Sequence, residues 1–406
     1  MVGAKRADSS LRAVNSMRTM KRIAAIGAAA MLTLAGCASG AGEPAEGPAP
    51  ASPNAPAEEG AQPGGPSLPV GEPFGDAEWS VAAGEKEVVV TPDRLIGIDS
   101  DNIRAWSAEG DEVWSHDRAE GGTKVWVGND TIAVSEASVP EASGLDKAQP
   151  VLKITLLSID SGEVVANAEV SNPTSAAGSR SGLAVQIDDY SGFVVVSEDG
   201  KTRKIDTTLS NRKPLFGEVD GIAFWKDGSG LHTERWTSRD LDLGSSGVAV
   251  VDRALGLLLL ENTSGRGEDR DALSMVKADS GDVLYTVSCP KEPGIGASGG
   301  NIANTAVNSP NGKYGVSAAL LYSAEQSQCV GGGEQQKVSL TAVDDNGTGY
   351  GLTEKDDLVV VPLGGEPAVS KLPGGASPPI GFMTGNIAVH WNESSGTVTG
   401  NAIIER

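Results

Sequence analysis

The sequence predicts an all-β fold, a β-propeller preceded by a signal peptide and a disordered linker, on three observations. From about residue 78 onward the apolar stretches are short, β-branched and punctuated by Gly, Asp, Asn and Ser, the pattern of strands and tight turns. A unit ending in an acidic-glycine turn and a following strand recurs as AWSAEGDEVWS (105–115), LLSIDSGEVVANAEV (156–170), VVVSEDGKTRKI (194–205) and MVKADSGDVLYTVS (275–288). A second unit, a strand with alanine between aliphatic or aromatic residues, recurs as TIAV (131–134), GLAV (182–185), GIAF (221–224), GVAV (247–250) and NIAV (386–389).

Together these units give several short antiparallel strands in about 40–50 residues, the period of a propeller blade. Glycine turns flanked by apolar strands supply the hairpins. Taking the strand that leads each unit, blades start near 95, 131, 182, 221, 255, 314 and 384. That predicts seven blades, with six or eight as alternatives and a pair of β-sandwiches as the competing fold. Val248 to Glu261 contains Gly256 and reads as two strands, GVAVVD and LLLLEN. Ala223 and Ala249 are 26 residues apart, too few for a four-stranded blade. The chain ends soon after Ala402-Ile403-Ile404, one strand short in its last blade, and Glu87 to Thr91 is the strand expected to close the ring.

The piece RLIGIDSDNIRAWSAEGDEVWS (94–115) resembles a quinoprotein-type propeller repeat, and SPNGKYG (309–315) resembles the blade-opening turn of WD-type propellers. Such matches cover roughly a third of residues 85–406. The resemblance implies that Trp106 and Trp114 are structural residues packed between neighbouring blades.

The N-terminus sets location. Lys21 and Arg22 precede an apolar run from Ile23 to Leu34, which ends in small residues and Cys37. This is a secretory signal, too short for a stable transmembrane span. Met17 and Met20 offer alternative starts. Leu34-Ala35-Gly36-Cys37 resembles the lipobox of bacterial lipoproteins, which implies cleavage before Cys37 and a diacylglycerol on its thiol. Residues 38–75 hold nine of the 22 prolines, and Lys86 is the first basic residue after the signal. That composition cannot bury enough apolar surface to offset its ordering entropy. The domains are therefore a signal peptide (1–36), a lipidated cysteine with a disordered Pro/Ala/Gly/Glu-rich tether (37–76) and the propeller (77–406). An extended tether reaches roughly 100 Å at about 3.1 Å per residue. Its Ala/Gly-rich, Lys-poor style points to a GC-rich actinobacterium.

The net charge is −22, and −27 without residues 1–36, which carry six basic groups and one acidic. Such a head repels nucleic acid and anionic lipid, and its acidity keeps an exported protein soluble. In an oxidising compartment Cys289 and Cys329 read as one disulfide, worth roughly 4 kcal/mol on the chain-entropy model. His116, His232 and His390 are scattered and read as structural.

Propeller strands alternate direction, so second-to-third and inter-blade connections share one face, while third-to-fourth turns lie on the other. The long insertions 137–150, 262–271, 289–306 and 323–336 all map to the first face, as do Cys289, in an inter-blade loop, and Cys329, in the next insertion. Long loops on one side of a rigid scaffold are where recognition sits. Catalytic signals are absent. GIGASGG (294–300) fits both GxGxxG and GxSxG, but the strand-to-helix context that either needs is missing, so Ser298 is a loop serine. True quinoproteins use adjacent cysteines and calcium-binding carboxylates that cannot be assigned in this sequence. Asp240, Asp242 and Asp344-Asp345-Asn346-Gly347 offer oxygens for calcium without the alternating register of a known loop; no cofactor is expected beyond that possibility.

The expectation is a lipoprotein anchored through Cys37 to the outer face of the cell membrane. Its head is a non-catalytic binding or scaffolding module for another envelope or secreted protein, or a glycan. Propeller lipoproteins that assist outer-membrane assembly are the nearest analogy. The alternative is a propeller oxidoreductase or hydrolase with its site in the central channel, recognisable by polar side chains converging at the channel mouth.

Overall fold

The computed structural model describes residues 72–84, 86–118, 124–139, 149–179, 182–187, 191–208, 216–227, 230–243, 248–252, 254–267, 270–290, 304–331, 337–373 and 376–404. Their strands form eight sheets in sequence order. Blade 1 spans 87–117, blade 2 124–171, blade 3 173–206, blade 4 216–233, blade 5 248–290, blade 6 307–329 and blade 7 338–371. Blade 8 takes three strands from 379–403 and its outermost strand, Phe74–Ala82, from the other end of the described chain. The chain is an eight-bladed β-propeller. Within each blade consecutive strands pair antiparallel, the first strand innermost of that set, so each hairpin needs only a short turn; in blade 5 the two-residue strand Asn304–Thr305 adds parallel to the inner edge of the first.

Two expectations are corrected here. The predicted seven starts coincide with the second strands of blades 1 to 6 and 8, and blade 7 goes uncounted. Its second strand, Thr348–Thr353, carries Gly349-Tyr350-Gly351 where those of blades 2, 3, 4 and 8 carry alanine between apolar residues. At Gly351 a Cβ would lie 2.0 Å from the Ser339 carbonyl oxygen, so no side chain fits and the repeat signal is lost. The ring is closed by Phe74–Ala82 and not by Glu87 to Thr91. Glu87–Val90 is the innermost strand of blade 1, whereas Phe74–Ala82 pairs along Thr397–Ile403 and buries Phe74, Trp79 and Val81.

The short spacing after Ala223 also has its explanation. Blade 4 is three-stranded, and a single bridge, His232 to Thr237, stands where a fourth strand would run. Val248–Asp252 is then the first strand of blade 5 and Leu257–Gly267 the second.

Cohesion between blades comes from the acidic-glycine turns. Gly110 (φ 86°), Gly162 (φ 68°) and Gly281 (φ 79°) sit in left-handed backbone, where only glycine is unstrained. Each presents its bare Cα to a tryptophan on the outer edge of the preceding blade, Trp79, Trp114 and Trp236 respectively. Those indoles donate Nε1–H to carbonyls of the same turns: Trp79 to Ala108 (2.7 Å), Trp114 to Ile159 (2.8 Å) and Trp236 to Ala278 (2.9 Å). Stacking and hydrogen bond together make each turn a socket. Trp114 thus joins blades 1 and 2, while Trp106 packs with Trp79, Met383 and Val389 between blades 8 and 1, as the repeat resemblance implies.

Candidate functional site

The alternating strands create two unlike faces. On the turn face lie the first-to-second and third-to-fourth connections, all short among the described residues. The opposite, insertion face carries the second-to-third and inter-blade connections.

Three predicted insertions lie at the insertion face with their ends inside strands; 262–267 and 270–271, for instance, extend the second and third strands of blade 5. Residues 137–150 join the second and third strands of blade 2, 262–271 those of blade 5, and 289–306 run from blade 5 to blade 6. The fourth, 323–336, is split. Ser323 to Gln326 form a tight turn on the turn face, closed by Ser323 N–H on the Gln326 carbonyl at 2.8 Å, and Ser327–Cys329 is the outer strand of blade 6. Only the part from Val330 onward crosses to blade 7 on the insertion face. Residues 140–148, 268–269, 291–303 and 332–336 lie outside the described residues, as do Ser298 with its glycine-rich stretch and Cys37.

Three of the four insertions therefore belong to blades 5 and 6. Blade 5 also projects furthest: the ladder between its second and third strands continues through Asn262↔Ala272 to Gly267↔Arg270, and its fourth strand follows to Pro290. Cys289 and Cys329 form a disulfide here, with Cα atoms 5.6 Å apart, within bridging reach. Neither cysteine is in a loop, contrary to expectation. Both stand at the insertion-face ends of outer strands, Cys289 fully buried and Cys329 half-buried.

Beneath this sector lies a buried clasp that sequence reasoning missed. Asp252, the last residue of the innermost strand of blade 5, is 0% exposed. Its Oδ2 accepts the Tyr322 hydroxyl at 2.7 Å, and both oxygens accept from Asn308 Nδ2, at 3.0 and 2.9 Å. Leu255 N–H adds a fourth contact at 3.0 Å. Tyr322 and Asn308 belong to blade 6, so the carboxylate ties two blades. Burial raises the Asp252 pKa against the pull of its donors, and burial next to that carboxylate pushes the Tyr322 hydroxyl well above its usual range. The sequence signal is one acid ending an apolar run, VAVVD, which also describes any strand entering a turn.

On the turn face a cavity of 340 Å³ opens at the ring axis. Asp93, Asp130 and Asp160 line it with Asn129 and Asn311, over an apolar floor of Val89, Val90 and Phe382. Two of these acids are engaged at the rim: Asp93 accepts the Thr384 hydroxyl at 3.0 Å, and Arg94 lies 3.5 Å from Asp160. Among the described residues, no group of three or more His, Cys, Asp or Glu is arranged to hold a metal ion.

The calcium candidates are turn residues. Asp240 accepts the N–H and hydroxyl of Thr237 (2.9 and 2.8 Å), which lower its pKa. Asp344 accepts the N–H groups of Asn346 and Thr348 (2.9 and 2.8 Å) and the Tyr350 hydroxyl at 3.0 Å. Asp242 sits at φ 54° in the turn after Ser238. The histidines lie in separate blades: His116 at the outer edge of blade 1, His232 with Asp227 at 3.0 Å in blade 4, and His390 in blade 8, its Nδ1–H on the Ser377 carbonyl at 2.9 Å.

No family model and no curated protein matches the chain. Among solved structures it is similar to BamB from Moraxella catarrhalis, at 12% identity over 80% of this chain and 98% of that one, with a TM-score of 0.40. It is also similar to Hsv2 from Kluyveromyces lactis (8% identity, 77% and 95%, TM-score 0.37). The uncharacterized protein lmo1340 from Listeria monocytogenes matches at 9% identity, 79% and 96% coverage and a TM-score of 0.35. At these values the blade pairing itself, and not any likeness, establishes the fold.

Proposed function

We propose that the chain is an exported lipoprotein, anchored through a lipid on Cys37 to the outer face of the cell membrane. Its propeller acts as a non-catalytic binding module for another envelope or secreted protein, or a glycan. The observation that carries the reading is the concentration of three insertions and a disulfide on one face of blades 5 and 6, above a buried clasp. Rigid support under long connections is the arrangement a recognition surface needs, because loops held by a scaffold lose less entropy on binding. The acids at the channel mouth sit on separate exposed turns, Asp93 and Asp160 each in a local contact, which suits a surface more than a reaction centre.

The test has two arms. Metabolic labelling with palmitate should mark the wild-type chain and leave Cys37→Ser unlabelled. Crosslinking and capture from intact cells should recover an envelope component with the tethered protein and lose it when all four insertions are shortened. Equal recovery by both forms would end the reading.

A further inference from the structure

We infer that the Cys289–Cys329 bond is a releasable latch: a dithiol opens it in the folded protein and loosens the insertion-face end of blade 5 while the ring stays closed. The positions of the other fastenings between blades 5 and 6 carry this. Asp252 grips Tyr322 and Asn308 where the innermost strand of blade 5 meets the turn face. Tyr285, near the start of the outer strand, directs its hydroxyl at the carbonyls of Ser323 and Gln326, 2.5 and 2.9 Å away, also on the turn face. Midway along, Asn304–Thr305 pairs parallel with Val250 and Val251, and Ala306 N–H meets the Val251 carbonyl at 3.1 Å. The disulfide fastens the opposite end, where the strands of blade 5 rise beyond those of blade 6.

Access to the two sulfurs differs. Cys289 is buried among Leu273, Met275 and Leu320, and Cys329 is half-buried at the edge of the same cluster. A dithiol thiolate attacks Cys329 Sγ, forming a mixed disulfide and expelling Cys289 as a thiolate, which takes up a proton. The second thiol of the reductant then attacks its own bound sulfur, releasing Cys329 and leaving as a cyclic disulfide. The protein bond gains two electrons and the dithiol loses two. The apolar contacts of Cys289 survive as those of a buried thiol.

The consequence, that reduction lowers partner capture, rests on the insertion face being the contact surface; the latch itself does not. The experiment uses the mature full-length oxidised protein, treated with dithiothreitol without denaturant. Alkylation and intact mass should show both thiols. Amide hydrogen exchange should rise about tenfold at Ala272, Leu273 and Val287 to Cys289, leaving Leu257 to Leu260 and Leu320 to Tyr322 protected. A Cys289→Ser, Cys329→Ser double variant should give the same pattern. The latch is overturned if thiols appear only in denaturant, or if protection is lost across both blades. If the latch behaves as described but reduction leaves capture from cells unchanged, the contact surface lies elsewhere.

Discussion

The joint between blades 5 and 6 and the joint between blades 2 and 3 use the same architecture with unequal fastening. At the first, Tyr285 stands four residues after the turn glycine Gly281 and binds the neighbouring turn, backed by Asp252, a parallel strand pair and the disulfide. At the second, the equivalent residue after Gly162 is Ala166. The facing turn glycine, Gly200 (φ 77°), rests against its methyl group, and a Cβ there would lie 2.6 Å away. A void of 20 Å³, room for about one water, remains between Leu156 of blade 2 and Leu183 and Val196 of blade 3. Apolar packing of Leu152, Ile154 and Leu156 on Leu183 and Val185 holds that joint. Reinforcement is thus concentrated under the sector that carries three of the four insertions. A closed ring needs each joint to hold, but only a presenting surface needs one joint held so firmly.

Removing the clasp is the largest break available. Asp252→Ala leaves the buried Tyr322 hydroxyl without its acceptor and the half-buried Asn308 amide with only the Tyr314 carbonyl, at 3.4 Å, and should cost about 4 kcal/mol. Urea denaturation should show this as a lowered midpoint with unchanged slope. A loss below about 1 kcal/mol would make the two joints equivalent.

Acid probes the ring-closing seam, which neither joint touches. His390 is fully buried, its ring 4.7 Å from that of Phe74, and burial lowers its pKa to about 4. An unfolded histidine titrates near 6.5, so between pH 6.5 and 4 the unfolded chain binds a proton that the native state does not. Stability should fall across that window, by about 3 kcal/mol in all. Denaturation midpoints taken from pH 7.5 to 4 should show the slope, and His390→Phe should remove this share of it.

The smallest effect runs in the other direction. Ala166→Trp places an indole where Trp114 stands at the preceding joint, within reach of the Glu198 carbonyl and of the void. It should stabilise by about 1 kcal/mol. A destabilised variant would show that joint 2–3 is shaped around its alanine.

Much of this was legible in the chain because the same physical demand recurs. GDEVW (110–114), GEVVA (162–166) and GDVLY (281–285) each pair a turn that requires glycine with a docking position four residues on. Blade 7 escaped because it carries neither signal: Gly349 and Gly351 stand in place of the alanine signature, and its third-to-fourth turn, LGGEP (363–367), has no acid before its glycines. The closing strand escaped because Phe74 follows a Pro/Gly-rich run, and only pairing with Thr397–Ile403 distinguishes it from tether. The face of the insertions follows from strand alternation alone, except at Ser327–Cys329, three residues too few to show a period. The clasp was hidden because its three side chains, Asp252, Asn308 and Tyr322, are far apart in sequence and ordinary in type.

The most direct test of the insertion face as the contact surface is a photocrosslinking scan in intact cells. Single photoreactive residues would replace Val287 and Val139 on the insertion-face side, and Asp130 and Asp111 on the turn face. The account predicts capture of one envelope partner from Val287, beside the blade 5 projection, with none from Asp130 or Asp111. Capture from the turn face with silence at Val287 would contradict it.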